Sequence, residues 1–495
     1  LKGDKLKVRP KRTDARLAQE VLDKIKRERI RFIDLQFVDV PGYLQHITIP
    51  SHWFDLDCFE EGFGKLDGSS IKGFKPIYES DMILIPAPET FAVLPWSSAE
   101  QRTARILTNI YESYGRARFE RDSRYLAQKA EDAVRKAGFT VSYWGPELEF
   151  FVFDKVELFP SALAARDAWA ESGYRIESKE AIWSKGGINF PIRFKEGYYP
   201  APPEDTFQEY RSEVCSILED YFDVKIDAHH HEVATAGQAE IDMKYAPLVK
   251  MADSVISYKH VVKMVAHLRG MIATFMPKPI FGDNASGMHV HQSLWKGTKN
   301  AFYDPDDEYA ELSQIGRYYI GGLIEHSLSL ASIVAPTTNS YKRLVPGYEA
   351  PVYAAWSRAN RSANVRVPVY FRGGKTGHNA KRVEFRPPDP ACNPYLAFAA
   401  QLSAGLDGIK RKLDPGDPVD ENIYLLSPER RRQLGIKELP GSLADALDKL
   451  ESDHAYLNGI FTSDLLETFI EIKREESKQQ SLRPTPYEFY LYLDI

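Results

Sequence analysis

Two stretches decide how this chain is read: Pro146-Glu147-Leu148-Glu149-Phe150-Phe151, and the run His229-His230-His231-Glu232 that continues through Gly237 to Glu240. Successive side chains on a strand point to opposite faces, so residues two apart share a face. On that rule Glu147 and Glu149 point one way, and His230 and Glu232 do the same. So do His289, His291 and Ser293 in Gly287-Met288-His289-Val290-His291-Gln292-Ser293, and Arg382, Glu384 and Arg386 in Lys381-Arg382-Val383-Glu384-Phe385-Arg386. Gly237 marks a hairpin, and a turn centred on Ala236 would set Glu232 opposite Glu240, at the roughly 4.5–5.5 Å Cβ spacing of cross-strand partners. Glu147, Glu149, Glu232, Glu240 and Glu384 in one cleft would repel, and like charges that close either take up protons or recruit cations. Mostly oxygen donors with an imidazole suit Mg²⁺ or Mn²⁺ better than Zn²⁺. A lone Glu-x-Glu is usually a solvated sheet face. The recurrence of such pairs on four segments is what points to a metal- and phosphate-handling enzyme.

Working outward, residues 1–13 are basic and aperiodic and read as a loose tail. Leu17, Val21, Leu22 and Ile25 then share one helical face. Residues 31–38 read as a strand, Pro41-Gly42 as a turn and residues 44–49 as a returning strand. Residues 62–81 hold Gly62, Gly64, Gly68, Gly73 and Pro76 and read as a long functional loop. Residues 104–111 alternate like a strand, and residues 123–136 read as a helix closed by Gly138. The expected division is a tail 1–13, a first domain 14–117 and a second 118–495. Within the second, residues 247–276 read as one long helix ended by Pro277 and Pro279, and residues 310–333 as another.

The bulk numbers agree with a large globular protein. The 495 residues fit about two to three domains, and 43% hydrophobic with 27% charged residues is ordinary for one with a sizeable core. A net charge of −6 gives no reason to expect nucleic acid or an anionic membrane as partner. Cys58, Cys215 and Cys392 are far apart with no C-x-x-C pair, which speaks against a disulfide framework or a thiolate zinc site. No run approaches the roughly 18 apolar residues of a membrane span, so a cytoplasmic protein is expected. Two apparent motifs fail. Gly374-Lys375-Thr376 looks like the end of a P-loop, but the first glycine of that motif would fall at Val369, and the histidine run lacks HExxH spacing.

Several stretches resemble class I glutamine synthetases: Asp67-Gly68-Ser69-Ser70-Ile71, Gly145-Pro146-Glu147-x-Glu149, the run from His229 to Glu240, and Lys278-Pro279-x-Phe281-Gly282-Asp283-Asn284. Residues 339–351, which contain Tyr341-Lys342-Arg343-Leu344-Val345-Pro346-Gly347-Tyr348-Glu349-Ala350-Pro351, and Arg382-x-Glu384-x-Arg386 do so too. The resemblance covers about residues 14–495. It implies an α+β fold with a small N-terminal β-grasp domain and a larger catalytic half-barrel. It further implies a dodecamer with sites shared between subunits, and ATP-dependent condensation of L-glutamate with ammonium through γ-glutamyl phosphate. Position by position, it implies one metal on Glu149, Glu232 and Glu240 and a second on Glu147, His289 and Glu384, as two or more Mg²⁺ or Mn²⁺ per site. Glutamate would meet Arg343, Arg386, Asn284, Ala285 and Gly287, with Glu149, His289 and Glu349 also facing it. ATP would meet Asp227, Tyr245, His291, Ser293, Arg366 and Arg382, while Arg361 would contact ATP and stabilise the transferring phosphoryl group. Ammonium would be held by Asp67 and Ser70 of a neighbouring subunit together with Tyr198 and Glu349, the last on a closing flap.

Some positions depart from the family pattern. Ala285 stands where many relatives have glycine, which a backbone role tolerates. Asn379 stands where a lysine is common, and Lys375 or Lys381 is the expected substitute. Tyr424 lacks the acidic, proline-rich surroundings of a modified tyrosine, so no modification is expected there. The competing readings are a γ-glutamyl ligase acting on an amine or polyamine, and a catalytically silent regulatory relative. The intact Asp67-Gly68-Ser69-Ser70 and Glu349 argue against the first and the full metal-ligand set against the second.

Overall fold

The computed structural model describes residues 14–159, 173–184, 190–346 and 350–495. The expected tail and Glu349 lie outside them. Helices and two separate large sheets make an α+β protein.

The first sheet is built from β1 (Phe32–Val38), β2 (Leu44–Pro50), β3 (Phe63–Asp67), β4 (Asp81–Pro86), β5 (Ala92–Val93) and β6 (Thr103–Glu112), in the order β2-β1-β6-β4-β3 with β5 also on β6. β1 and β6 run parallel, and the remaining pairs are antiparallel. The helix Ala15–Arg27 covers it through Ala18, Val21 and Ile25, and Asp14 caps that helix by accepting the amide of Arg16 at 3.0 Å. The loop expected over residues 62–81 is corrected here, because Phe63–Asp67 is an edge strand on β4. Its glycines masked it: Gly62 takes φ +71°, and a register shift between Phe63 and Leu66 breaks the alternation.

Among the described residues the second sheet has ten strands. Its spine is β7 (Val141–Phe153), β8 (Ile226–His231), β9 (Gln238–Met243), β10 (Met288–Lys296), β11 (Trp356–Arg358), β12 (Val365–Val367) and β13 (Val383–Phe385), in the order β8-β9-β7-β10-β13-β12-β11. Along β7, Trp144, Leu148 and Phe150 face a helical layer. The helix Leu248–Leu268 packs there, with the Tyr258 hydroxyl donating to the Leu148 carbonyl at 2.9 Å. The opposite face carries the polar side chains.

Two helix expectations are corrected. The first helix stops at Leu268, because Gly270 adopts φ +70° and the Met271 amide bonds back to the Ala266 carbonyl, a Schellman closure. Residues 272–274 then form a strand on β7. The second is two helices, Gln314–Glu325 and Ser327–Val334, broken at His326. Buried polar links tie the first sheet and the helix Ser123–Lys136 to the helix Leu248–Leu268: Arg105 on β6 donates to the Ser257 hydroxyl, and Arg124 grips Asp253 with two hydrogen bonds of 3.0 Å.

Candidate active site

Strand register brings the alternating residues into rows across the sheet. His230 pairs with Glu240, and Glu240 with Glu149. Asp242 pairs with Glu147, and Glu147 with His289. His291 pairs with Glu384, and Glu384 with Arg366. The expectation that Glu232 lies opposite Glu240 is corrected: Glu232 lies opposite Gln238, with its amide on the Gln238 carbonyl at 2.9 Å. The turn is centred one residue earlier, on Thr235. Asp283, fully buried, accepts the Thr235 amide at 2.7 Å, and the Gln238 side chain accepts the Ala234 amide at 2.8 Å. Ala236 and Gly237 then both turn through the left-handed region, at φ +64° and +81°. Even so, one ligand atom each from His230, Glu232 and Glu240 fall within 4.8 Å of one another.

A cavity of about 210 Å³ opens over these rows. Glu147, Glu149, Glu232, Glu240 and His289 line it, as do Asn284, Ala285, Gly287, Arg343, Arg386, Arg361 and Tyr198. Gly287 has no room for a side chain, since a Cβ there would stand 2.7 Å from Arg343 Nη2 and 3.3 Å from Glu149 Oε1. Arg343 is held by the Pro387 and Arg386 carbonyls at 2.7 and 3.1 Å. A second cavity, of about 360 Å³, is lined by Asp227, Tyr245, His291, Ser293 and Arg382, and walled by the aromatic rings of Tyr143 and Trp295. Glu147 and Asp242 belong to the walls of both cavities, so the two spaces meet at them.

Not every expected residue reaches these spaces. Glu384 is fully buried, its carboxylate taken by Arg366 on one oxygen and Arg386 on the other. Arg366 lines neither cavity and also donates to the Tyr370 hydroxyl at 2.9 Å. Asp67 and Ser70 sit exposed on the first sheet and line neither cavity of their own chain. Of the two expected lysines, Lys381 lines the second cavity but directs its Nζ to the Ala310 carbonyl and Glu311, and Lys375 does not line that cavity. Asn379 itself stands in that wall. The Tyr424 hydroxyl is engaged by the Ala350 carbonyl at 2.7 Å.

Asp242 was missed from the sequence, although Glu240-Ile241-Asp242 obeys the same two-apart rule. It joins Glu147 and Glu240 in a second group whose ligand atoms lie within 4.8 Å. Gln238, which donates to Glu149 at 2.9 Å and to the Ala285 carbonyl at 3.1 Å, was also missed. No sequence signal marks it.

The electrostatics are those of a cation site. Burial first, and then repulsion from Glu232, pushes the Glu149 carboxyl well above its ordinary pKa. Burial, Glu147 and Asp242 do the same to Glu240. Asp242 is raised by burial, and its Oδ1 is a buried oxygen with no hydrogen-bond partner. Burial drives the His289 pKa down to about 3, leaving a neutral ring with a lone pair to offer. Oxygen-rich donors, an unpartnered carboxylate oxygen and a neutral imidazole fit hard divalent cations.

Comparison with known proteins gives the same picture. Residues 29–113 match the family model described as the glutamine synthetase β-grasp domain, and residues 120–492 match the glutamine synthetase catalytic domain. A glutamine synthetase of Sulfolobus acidocaldarius is 58% identical over 96% of this chain and 98% of its own length. One of Frankia alni is 46% identical over 97% and 99%. Among solved structures, a Plasmodium falciparum glutamine synthetase superposes with a TM-score of 0.85 at 28% identity, covering 96% of this chain and 98% of that one. A GmaS/ADP complex superposes at 0.77 and 27% identity, covering 96% and 99%. No helix among the described residues is long and apolar enough to cross a membrane.

Proposed function

The chain belongs to the glutamine synthetase family, and we propose that its cleft condenses L-glutamate with ammonia, using ATP, through a γ-glutamyl phosphate. The observation that carries this reading is the pair of cavities meeting at Glu147 and Asp242. One is rich in carboxylates and also lined by Arg343, Arg361 and Arg386, and the other sets aromatic rings beside Arg382, Lys381 and Asp227. A phosphoryl group leaving a nucleotide in the second enters the first.

Glutamate sits in the smaller cavity, its carboxylates met by Arg343 and Arg386. A planar guanidinium can grip a carboxylate with two parallel bonds, which an ammonium cannot. Asn284 and the backbone at Ala285 and Gly287 take its α-groups. ATP occupies the larger cavity against Asp227, Tyr245, His291, Ser293 and Arg382. The similar GmaS structure is a complex with ADP, which supports a nucleotide in this fold. Glu149, Glu232 and Glu240 would hold one divalent metal and Glu147 and His289 another, as Mg²⁺ or Mn²⁺, with Glu384 joining the second once one of its oxygens leaves Arg366 or Arg386. When bound, such ions neutralise phosphate charge and polarise the phosphoryl oxygens. Arg361 meets the charge that develops on the transferring group, and Arg366 holds Glu384 from behind. Tyr198 and Glu349, with Asp67 and Ser70 of an adjoining subunit, bind ammonium, a carboxylate of the set takes its proton, and ammonia shielded from water attacks the acyl phosphate, forming the amide and expelling inorganic phosphate. This sharing supports a closed oligomer, a dodecamer in the family arrangement, and a reaction drawing on ATP and free glutamate suits the cytoplasm.

The test is ADP release with Mg²⁺, ATP, L-glutamate and ammonium, each omitted in turn. Release should need all four. Release that persists without ammonium but requires a polyamine would overturn the choice of acceptor.

A further inference from the structure

The strand β8 ends in three consecutive histidines, and the proposed reaction uses only one face of it. His230 and Glu232 face the carboxylate cavity, while His231 points behind the sheet and is 1% exposed. There Nε2 lies 3.2 Å from Oε2 of Glu180, which is completely buried, and the other oxygen of Glu180 accepts the amide and hydroxyl of Thr206 at 2.6 and 2.7 Å. Nδ1 of His231 lies 2.8 Å from the Gly197 carbonyl and 2.6 Å from the Glu232 carbonyl. Carbonyl oxygens only accept, so Nδ1 carries the hydrogen.

Gly197 precedes Tyr198, and the segment lies directly on the strand end. The Gly197 amide donates to the Val233 carbonyl at 2.9 Å and the Tyr199 amide to the His231 carbonyl at 3.4 Å. A Cβ at Gly197 would stand 2.7 Å from the Glu232 carbonyl oxygen and 2.8 Å from that of Ala234, so the approach admits no side chain. On the cavity side, Tyr198 stacks on Tyr199 with ring centroids 4.0 Å apart, and Tyr199 meets the His230 ring edge-on at 4.6 Å. One side chain, His231, thus bonds at the same time to the backbone of the segment bearing Tyr198 and to the backbone of Glu232.

We propose that the buried Glu180–His231 pair is a positioning device for the ammonium pocket: it ties residues 197–199 to the strand end that carries Glu232 and so sets Tyr198 against the metal-binding carboxylates. The proposal rests on the reading of Tyr198 as part of that pocket. His231 touches no substrate and acts through the segment it holds, as outer partners of a site fix the groups that do.

Two substitutions separate the bonds. His231→Asn keeps a donor near the position of Nδ1, and His231→Gln keeps one near Nε2. In the assembled enzyme, His231→Gln should raise the KM for ammonium by about tenfold or more while leaving the KM for ATP near wild type. His231→Asn should stay closer to wild type in both. Hydrogen exchange read by mass spectrometry on the protein without substrates should show faster exchange at residues 197–199 in His231→Gln than in His231→Asn. Gly197→Ala, which pushes the same segment off the strand while leaving the histidine intact, should raise the ammonium KM as well and provides the test if the His231 variants do not fold. Unchanged exchange at 197–199 in His231→Gln, or a Gly197→Ala enzyme with wild-type exchange and ammonium KM, overturns the proposal. Tyr198→Phe, assayed alongside, separates the two readings. If it leaves the ammonium KM unchanged while His231→Gln still loosens the segment, the tie stands and the role of Tyr198 falls.

Discussion

Replacing Glu240 by glutamine should stabilise the metal-free protein and weaken the metal-bound one. Oxygens of Glu147, Glu240 and Asp242 lie within 4.8 Å of one another. Two full charges at that separation repel by about 3.5 kcal/mol at an effective dielectric near 20. The Glu147 side chain is 34% exposed, so water screens its share. Burial and its neighbours hold the Glu240 carboxyl well above its ordinary pKa, which lowers the repulsion it contributes. The relief left for an uncharged side chain of the same shape is about 1–2 kcal/mol. Metal-free Glu240→Gln should therefore melt above metal-free wild type by about 1–2 °C. Excess Mn²⁺ should invert the order: at a hundred times Kd the ion adds about 2.7 kcal/mol to the native state, and the variant has lost a charged ligand. Scanning calorimetry in chelator and then across a Mn²⁺ titration reads both effects. A metal-free variant that melts below wild type, yet keeps the full Mn²⁺-dependent rise, would refute the assignment of Glu240 to a repelling, cation-binding cluster.

Arg343→Lys should raise the KM for glutamate by roughly 10–100-fold, the effect of losing a charge-assisted bond, with little change in the KM for ATP; equal increases in both would remove Arg343 from the glutamate site. Subunits carrying Asp67→Ala, mixed with subunits carrying Glu149→Ala, should regain activity at about one quarter of their sites by random assortment around a heterologous interface. No recovery in well-mixed oligomers would place Asp67 outside the site. His326, at the helix break, gives a pH prediction. Burial opposes its charge, but hydrogen bonds to Asp453 at 2.8 Å and Asp407 at 3.0 Å outweigh burial and raise its pKa above 6.5. Its stabilisation is therefore complete below that ordinary value and is lost as pH rises through the raised one. His326→Gln should flatten the fall of melting temperature over that range, and a variant with the wild-type slope would show that the three groups do not act as a clamp.

Much of the site could be read from local rules, and the failures follow from what those rules omit. Alternation placed Glu147 with Glu149 and His289 with His291, because a strand of either direction obeys it. Register is different, since it depends on where a turn sits. The β8–β9 turn is set by Asp283, 48 residues away, taking the Thr235 amide, so no local pattern could centre it. Asp242 lay within reach of the alternation rule, one step past Glu240 on the same strand face. The closure of the helix Leu248–Leu268 was legible at Gly270 and was misplaced onto the later prolines. Glu384 is the opposite case: its position was legible, but its burial between Arg366 and Arg386 was not, because β12 and β13 meet only in the folded sheet.

Asp67 marks the limit of what a single chain can contain. Hydrogen bonds from the Ser69 and Ser70 side chains and the Ser69 amide hold its carboxyl below the usual range. The carboxylate is therefore exposed and anionic at neutral pH, which is what binding ammonium requires, and the neighbouring serine hydroxyls are oriented by it. Yet it lines neither cavity of its own chain. Among the described residues, Tyr198 brings a half-exposed phenol to the carboxylate-lined cavity. On the proposed reading, the Asp67 carboxylate of one copy would complete the ammonium pocket of another. The mixing experiment therefore addresses the geometry more directly than a measurement of mass, since a large assembly with self-contained sites would show no recovery.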